Sequence, residues 1–471
     1  MKQYDIVIIG AGAAGLIGAR FAAKLGAKVA LVDRAKIGGD CTWTGCIPSK
    51  SLIHIAKIAH SANQGNKLGV QCEGVTTDWT KVMKFVNSTI ADVYAHTTPE
   101  LLESEGIEVV LGEPKFINST SIEVAGHGTL TSKSFLICVG AEPSIPPIPG
   151  LVETPYLTYL NLFELKSQPK SLIIVGAGPV GLEMAQAFSR LGTEVTLIGH
   201  SIFSREEPEV GDFMTSKFQA EGVNIRIGSV ENVRRTENGI AVTAGGGELH
   251  AEQLLVSTGR TPRLEGLNLE AAGVESSHKG IKVDDSLQSS VKNIFAAGDC
   301  IGSYQFSHFA GWQAWQAVRT ALLPGSGGGT TNVLPWCTFT DPEVARVGPL
   351  EAEARKTHGD ALQSKTLQLK DIDRAICEDD LGFIKLLHIG TKIVGATVVA
   401  ARAGELINEV ALAMKQNIGL DKLAGTIHAY PTYSSALQLM ATDVATDTFF
   451  SSTLGKIALK LSGLGPPNNK P

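Results

Sequence analysis

The sequence predicts an α/β chain: two Rossmann-like dinucleotide-binding domains, then a C-terminal α+β domain. Three observations predict it. One short apolar run ends in Gly10-Ala11-Gly12-Ala13-Ala14-Gly15. A second ends in Gly176-Ala177-Gly178-Pro179-Val180-Gly181. From Trp336 onward, strand-like and helix-like runs mix. A glycine turn between a buried strand and a helix gathers free N–H groups at the positive end of the helix dipole, which suits a pyrophosphate.

The first unit starts with a strand over Tyr4–Ile9. Its helix runs to about Leu25, and a second strand over Val29–Val32 ends at Asp33. Gly10, Gly12, Ala14 and Gly15 form the cradle. Asp33 lies 23 positions after Gly10, where an acid accepts hydrogen bonds from an adenosine ribose. Directly after this unit comes Gly38-Gly39-Asp40-Cys41-Thr42-Trp43-Thr44-Gly45-Cys46-Ile47-Pro48-Ser49-Lys50. A cysteine pair placed where a flavin would lie is a two-electron relay. Zinc would require a second Cys or His pair at ligand spacing, and none is near, so no metal site is expected.

The second unit has strands over Ser171–Val175 and Glu194–Ile198, with Gly176, Gly178 and Gly181 as its cradle. It lacks the ribose acid. Its second strand ends in Gly199-His200-Ser201, with Arg205 shortly after. A His and an Arg attract a 2′-phosphate that a carboxylate would repel, so NADPH is expected over NADH. The alternative is that Arg205 pairs with Glu206, Glu207 or Glu209.

Two more apolar runs, Phe135–Val139 before Gly140 and Leu254–Thr258 before Gly259, read as strands ending in glycine at crossings between domains. Pro143–Pro149 reads as a rigid connector. Asn293–Gly298 is a further buried strand ending in Asp299, placed to bond a flavin's ribityl chain. A helix from about Phe306 to Leu322 follows, with His308 near its N-terminus, which could face the flavin N1–O2 edge. Gly325–Gly329 reads as a flexible break. The C-terminal part has strands over Gly382–His388 and Lys392–Ala400, and helices over Glu405–Gln416 and Tyr433–Ala441. The domains expected are 1–150 with 285–330 for FAD, 151–284 for NAD(P), 335–450 for the interface, and a tail, 451–471. The tail reads as disordered or simply packed, ahead of a surface-binding helix over Thr453–Leu464 that could touch a membrane.

The bulk numbers fit a multidomain enzyme: 471 residues, 43% hydrophobic and 19% charged. A net charge of −6 without a basic stripe argues against nucleic acid. Seven cysteines are too few for a disulfide scaffold and favour a reducing compartment. Cys72, Cys138, Cys300, Cys337 and Cys377 read as buried small residues. No long apolar span or signal peptide is seen, so a cytoplasmic location is expected.

The order of these parts resembles the class I pyridine nucleotide–disulfide oxidoreductases, over about Met1–Asp443. Within them the chain is most similar to the mercuric reductase catalytic core. That similarity rests on Arg205-Glu206-Glu207-Pro208, Phe339–Ala345, Arg374-Ala375, Gly382–Leu386 and Ala403–Ile407. The resemblance implies a homodimer whose C-terminal domain completes the partner's active site, fed by FAD and NADPH or NADH. It implies Cys46 as the flavin-side, charge-transfer thiol and Cys41 as the interchange thiol. Lys50 and Glu183 would pair near flavin N5, where Lys50 stabilises negative charge on the reduced ring and Glu183 offsets the cost of burying it.

Disulfide-reducing relatives carry His-Pro and then Glu in the C-terminal domain. Here Tyr430 precedes Pro431, Ser435 stands in place of the Glu, and His428 lies two residues away. Tyrosine, with an ordinary pKa near 10, is a poor base at neutral pH. Tyr430 is what the mercuric reductases carry, but their C-terminal cysteine pair has no counterpart after Cys377. The expected acceptor is Hg(II), another soft metal ion, or an oxidant that needs no His acid. The alternatives are an unidentified disulfide, or a redox-sensing flavoprotein whose tail binds a partner or a membrane.

Overall fold

The first apolar run becomes the middle of a sheet. β1 (Lys2–Ile9) lies between β2 (Val29–Asp33) and β6 (Gly128–Ile137), parallel to both. The sheet order is β3 (Ile107–Leu111), β2, β1, β6, β5 (Ser121–Val124), β4 (Pro114–Asn118). The strand Ile294–Ala296 also pairs with β6, beside Phe135–Ile137. β1 is continuously apolar because both of its faces are covered. Ile6 and Ile8 enter one core with Leu31, Leu136 and α1 (Ala13–Lys24), while Val7 and Ile9 enter another with Phe116 and Ile122.

The computed structural model describes residues 2–325, 328 and 331–463. The chain divides into two units, Met1–Ser201 with Phe218–Thr331, and Ile202–Lys217 with Asn332–Pro471.

In the first unit α2 (Gly39–Trp43) and α3 (Cys46–Gln64) follow β2, and then α4 (Trp79–Tyr94) and α5 (Pro99–Ser104). Beyond β6 and β7 (Ala141–Pro143) comes the second parallel sheet. Its order is Asn224–Ile227, β9 (Glu194–Gly199), β8 (Ser171–Val175), Gln253–Val256. α6 (Pro179–Arg190) joins β8 to β9. The apolar runs before Gly140 and Gly259 are sheet strands, as read, and each leads directly into a crossing. The two chain passages between the sheets are the next residues along, where β7 pairs antiparallel with Arg260–Pro262.

The second unit holds an antiparallel sheet in the order Pro335–Thr338, Glu343–Val347, Lys392–Ala400, Phe383–Ile389, Gln363–Gln368. The Ala403–Lys415 helix buries Leu406, Ile407 and Val410 in its core. Residues 202–217 belong here through buried charges. Glu206 meets Arg346 at 2.8 Å and accepts Trp336 Nε1 at 2.7 Å. Lys385, 6% exposed, reaches Glu207 at 3.2 Å, Glu209 at 2.5 Å and Glu351 at 2.7 Å. Removing one partner of such a buried pair costs about 3–5 kcal/mol. The expected alternative for Arg205 therefore fails: the nearby acids are engaged by Arg346 and Lys385, and Arg205 is exposed.

In the first half of the tail the structure has a helix, the element that the second alternative placed there. One helix runs Ser435–Ser451 and another Thr453–Leu461, started by the Ser452 side chain accepting Gly455 N–H. Residues 464–471 lie outside the described residues. Of the expected break at Gly325–Gly329, only Gly325 and Gly328 are described. No described helix is long and apolar enough to cross a membrane. The cysteine expectation holds for Cys138 and Cys300, which are buried. Cys72 and Cys337 are half-buried, and Cys377 is exposed on a short helix, Asp373–Glu378, that buries only Ala375.

Candidate active site

The two cradles are sterically fixed. Gly10 has φ +101°, and a Cβ there would lie 2.3 Å from the Cys138 carbonyl oxygen. A Cβ on Gly15 would lie 1.8 Å from Gly10 O, so α1 starts directly on the loop. Gly12 caps α1 without a side-chain bond, and Ala14 is buried in its first turn. The helix N–H groups there suit an oxyanion. Asp33, at the end of β2, accepts Ala11 N–H at 2.8 Å and Ala35 N–H at 3.0 Å. Each carboxylate oxygen keeps a second acceptor site for a hydroxyl.

The second cradle repeats this. Gly176 has φ +112°, and a Cβ on Gly181 would lie 1.9 Å from Gly176 O. Gly178 is open and caps α6 without a side-chain bond. Gly199 stands at the end of β9, as Asp33 does at the end of β2, and a Cβ there would meet Ala177 Cβ at 2.7 Å. His200 is exposed next to it.

The cysteine segment rests on the first cradle. A Cβ on Gly39 would lie 2.6 Å from Gly12 Cα. The Asp40 carbonyl accepts Thr44 N–H at 2.9 Å and Gly45 N–H at 2.6 Å, closing the turn that leads into Cys46, the first residue of α3. Cys41 and Cys46 are half-buried free thiols. The hydrogen bond from Cys41 holds the Cys46 thiol down at about 6, helped by Ser307 and Lys50 against burial and Glu183. Cys41 is pushed up because it keeps the shared proton, and burial adds to this. The pair titrates jointly, as one thiolate with one thiol. The start of α3 favours the thiolate.

Lys50, one turn along α3, places Nζ 2.8 Å from Glu183 Oε2 on α6. Glu183 is 5% exposed. This ion pair joins the helix that opens at the thiolate to the helix that opens at the second cradle.

Gly140 and Gly259 have φ +72° and +133° at the start of the two passages between the sheets. Gly298, φ +80°, turns the chain after Ile294–Ala296 and presents Asp299. Asp299 Oδ2 lies 2.6 Å from Arg260 Nη1. Burial pushes its carboxyl up, and Arg260 works against that. His308 is the second residue of the Ser307–Leu322 helix, its ring stacked on Phe306 at 5.5 Å.

Sequence reasoning missed Ser307, whose Oγ lies 3.5 Å from Cys46 Sγ, and Arg260, whose Nη2 also meets Asp40 at 2.7 Å. The only cue for Arg260 was a cation directly after a buried strand and a glycine. Ser307 had no cue beyond standing at a helix start.

In the second unit Tyr430 is 74% exposed, and its OH donates to Asp373 Oδ2 at 2.6 Å, which raises the phenol. The His428 ring meets Thr426 O at 2.9 Å and Glu409 Oε1 at 2.7 Å, so both nitrogens are engaged. Burial opposes protonation of His428, but the Glu409 bond outweighs it and the pKa rises. Ser435 Oγ donates to Thr432 O at 2.6 Å. Among the described residues, no three His, Cys, Asp or Glu side chains are grouped to hold a metal.

Two pyrophosphate cradles that a Cβ would fill, with a thiol pair seated on one and an ion pair reaching the other, fit a flavin dinucleotide and a nicotinamide dinucleotide served by one dithiol. The family described as pyridine nucleotide-disulphide oxidoreductase matches residues 4–314, and its dimerisation domain matches residues 334–441. A mercuric reductase of Acidithiobacillus ferrooxidans is 36% identical over 452 residues, 93% of this chain and 82% of that protein. One of Streptomyces lividans is 34% identical over 459 residues, 94% of this chain and 97% of that protein. The solved HOCl-induced flavoprotein disulfide reductase RclA from Escherichia coli is 29% identical with a TM-score of 0.84, covering 93% of this chain and 99% of that one. Its Cu(II) complex is 30% identical with a TM-score of 0.82, covering 92% and 98%. The chain belongs to the pyridine nucleotide-disulphide oxidoreductase family. It is an NAD(P)H-dependent FAD disulfide oxidoreductase whose C-terminal part is the family's dimerisation domain.

Proposed function

We propose that the chain acts as a homodimer that oxidises NADPH and delivers electrons through Cys41 and Cys46 to a soft metal ion, Hg(II) first among candidates. FAD, when bound, supplies the two-electron exchange between nicotinamide and sulfur. Gly10, Gly12, Ala14, Gly15 and Gly39 seat its pyrophosphate side, Asp33 its ribose, and Gly140, Gly298, Asp299 and His308 its ribityl and ring side. Gly176, Gly178, Gly181 and Gly259 seat the nicotinamide dinucleotide, with His200 and Arg205 toward its 2′-phosphate. Lys50 carries positive charge to the flavin and Glu183 aligns it. Cys46 is the flavin-side thiolate, and Cys41 meets the acceptor. Tyr430 is supplied across the dimer interface to orient the metal complex.

The observation that carries the acceptor is the state of the proton donors. Reducing a disulfide places protons on two sulfurs, and the leaving thiolate needs an acid. Reducing Hg(II) with NADPH gives Hg(0), NADP+ and a proton, so no acid is needed. Here the Tyr430 proton is held by Asp373, and His428 has both nitrogens engaged. Relatives named mercuric reductase, and RclA solved as a Cu(II) complex, support a thiophilic metal.

The test is anaerobic titration with NADPH, then turnover with Hg(II) in excess thiol, Cu(II), glutathione disulfide and lipoamide. A long-wavelength thiolate–flavin band is expected on two-electron reduction. Cys46→Ser should abolish it, and Cys41→Ser should show it without reductant. Metal turnover should exceed disulfide turnover by about a hundredfold, the lower end of what one lost acid/base group removes. Faster disulfide turnover would overturn the metal assignment.

A further inference from the structure

Arg260 links two parts of the molecule that the chemistry uses and that no sequence motif connects. It stands directly after Gly259, at the start of the passage from the second sheet back to the first. Its Nη1 lies 2.6 Å from Asp299 and its Nη2 lies 2.7 Å from Asp40. Tyr159 OH donates to the same Asp40 oxygen at 3.0 Å, and the guanidinium lies 5.1 Å from the centre of the Tyr159 ring. Asp40 is the residue before Cys41, and its carbonyl closes the turn between the cysteines. One cation is therefore shared by two carboxylates, one beside the interchange thiol and one at the end of the strand beside β6. Burial opposes the charge on Arg260, yet Asp299, Tyr159 and Asp40 outweigh it and hold the guanidinium protonated. Its Nε is buried with no hydrogen-bond partner among the described residues.

We infer that Arg260 is a positioning residue of the redox centre: by bridging Asp299 and Asp40 it fixes the turn between Cys41 and Cys46 against the flavin loop. This rests on the Cys41–Cys46 relay and not on which acceptor is used. Here the two carboxylates meet different nitrogens of one rigid planar fork, whereas an ammonium is a single point of charge on a shorter stem, so Lys is not an equivalent. Without the bridge, Asp40 and Asp299 repel, the turn loosens, and the Cys41 hydrogen bond to Cys46 lengthens. Flavin chemistry that bypasses the thiols is untouched.

The experiment compares holoenzyme with Arg260→Met, Arg260→Lys and Asp40→Asn. It measures FAD content, the pH titration of the thiolate–flavin band after NADPH reduction, the rate of iodoacetamide alkylation of the reduced enzyme, and NADPH oxidation by ferricyanide, which takes electrons from the flavin directly. Arg260→Met should keep its FAD and stay within about twofold of wild type with ferricyanide. Its band should weaken and its midpoint should rise from about 6 toward the ordinary thiol value near 8.5. Alkylation at neutral pH should slow about tenfold, following the lost thiolate. Arg260→Lys should recover part of the band, and Asp40→Asn, which keeps the side chain's size, should lose less than Arg260→Met. A wild-type band and alkylation rate in Arg260→Met would overturn the inference. So would loss of FAD in step with ferricyanide activity, which would make Arg260 a fold or flavin residue. Should Arg260→Met not fold, Asp40→Asn decides alone: an unmoved midpoint overturns the inference, a raised one supports it. A wild type without any band on two-electron reduction would instead remove the relay itself.

Discussion

Gly15 and Gly181 hold the same place in successive strand–turn–helix units, and a Cβ on either would strike the loop's first glycine carbonyl, at 1.8 and 1.9 Å. Two residues further on, the units part. The first has Ile17, packed toward Gly311 of the Ser307–Leu322 helix, and the second has Glu183, paired to Lys50. They part again where the second strand ends, with Asp33 in one and Gly199 in the other. The cradle is thus common geometry for a pyrophosphate. What each unit does with its dinucleotide is decided by the flanking positions, which a glycine pattern does not specify.

The sharpest way to break this comparison is to damage each cradle alone. Neither glycine has room for a methyl without moving backbone, and overpacking of that kind displaces what it touches. Gly15→Ala is expected to purify without flavin and without activity of any kind. Gly181→Ala should retain flavin that light or dithionite reduces, while NADPH reduces it about a hundredfold more slowly, as expected of a misplaced reactant. Absorbance spectra and stopped-flow reduction separate the two. If both variants behave alike, the cradles are not assigned to different dinucleotides.

The next test concerns the position where Ile17 and Glu183 differ. Lys50 lowers the Cys46 thiol and Glu183 raises it. Lys50→Met should therefore move the midpoint of the thiolate band up from about 6, and Glu183→Gln should move it down. Both should slow flavin reduction by NADPH, by about a hundredfold for lost electrostatic support at the reacting ring. Opposite midpoint shifts with a shared loss of rate mark a pair acting between the two dinucleotides. Shifts of the same sign would mean that a structural rearrangement governs the thiol.

What the sequence made legible follows from how local each signal is. Strand, glycine turn and helix are adjacent in sequence, so both cradles could be read, and the β1 run was continuous because two cores cover it. Lys50 and Glu183 are separated by 133 positions, and only the resemblance suggested that they meet. Ser307 and Arg260 act across 261 and 220 positions on Cys46 and Asp40, and no period or spacing carries such a contact. The runs before Gly140 and Gly259 were legible as strands for the same reason as the cradles, and the glycine that ends each one marks where the chain turns into the passage between the sheets. Composition left the tail open between disorder, simple packing and a helix. Its Gly and Pro suggested disorder, whereas Ser452 as a cap, followed by Leu454, Ile457 and Leu461 on one side, was a helix signal. Cys377 was misread because free cysteine is usually buried, and its six-residue helix has too little inner face to bury it.

The smallest expected effect tests the other divergence, Asp33 against Gly199. With no acid at the end of β9, and with Glu206, Glu207 and Glu209 engaged by Arg346 and Lys385, nothing in that stretch neutralises Arg205. If Arg205 reads the 2′-phosphate as proposed, it adds a charge-assisted hydrogen bond of about 1.5 kcal/mol, which is about tenfold in affinity. Arg205→Ala should therefore raise the KM for NADPH about tenfold and leave that for NADH within about twofold. His200→Ala should shift the same preference by less, because an imidazole offers a single N–H where a guanidinium offers a fork of donors. Equal losses for both nucleotides would show that this end of the second unit packs the adenosine without reading its phosphate. The missing ribose acid would then reflect only the space that Ala177 denies to any side chain at Gly199.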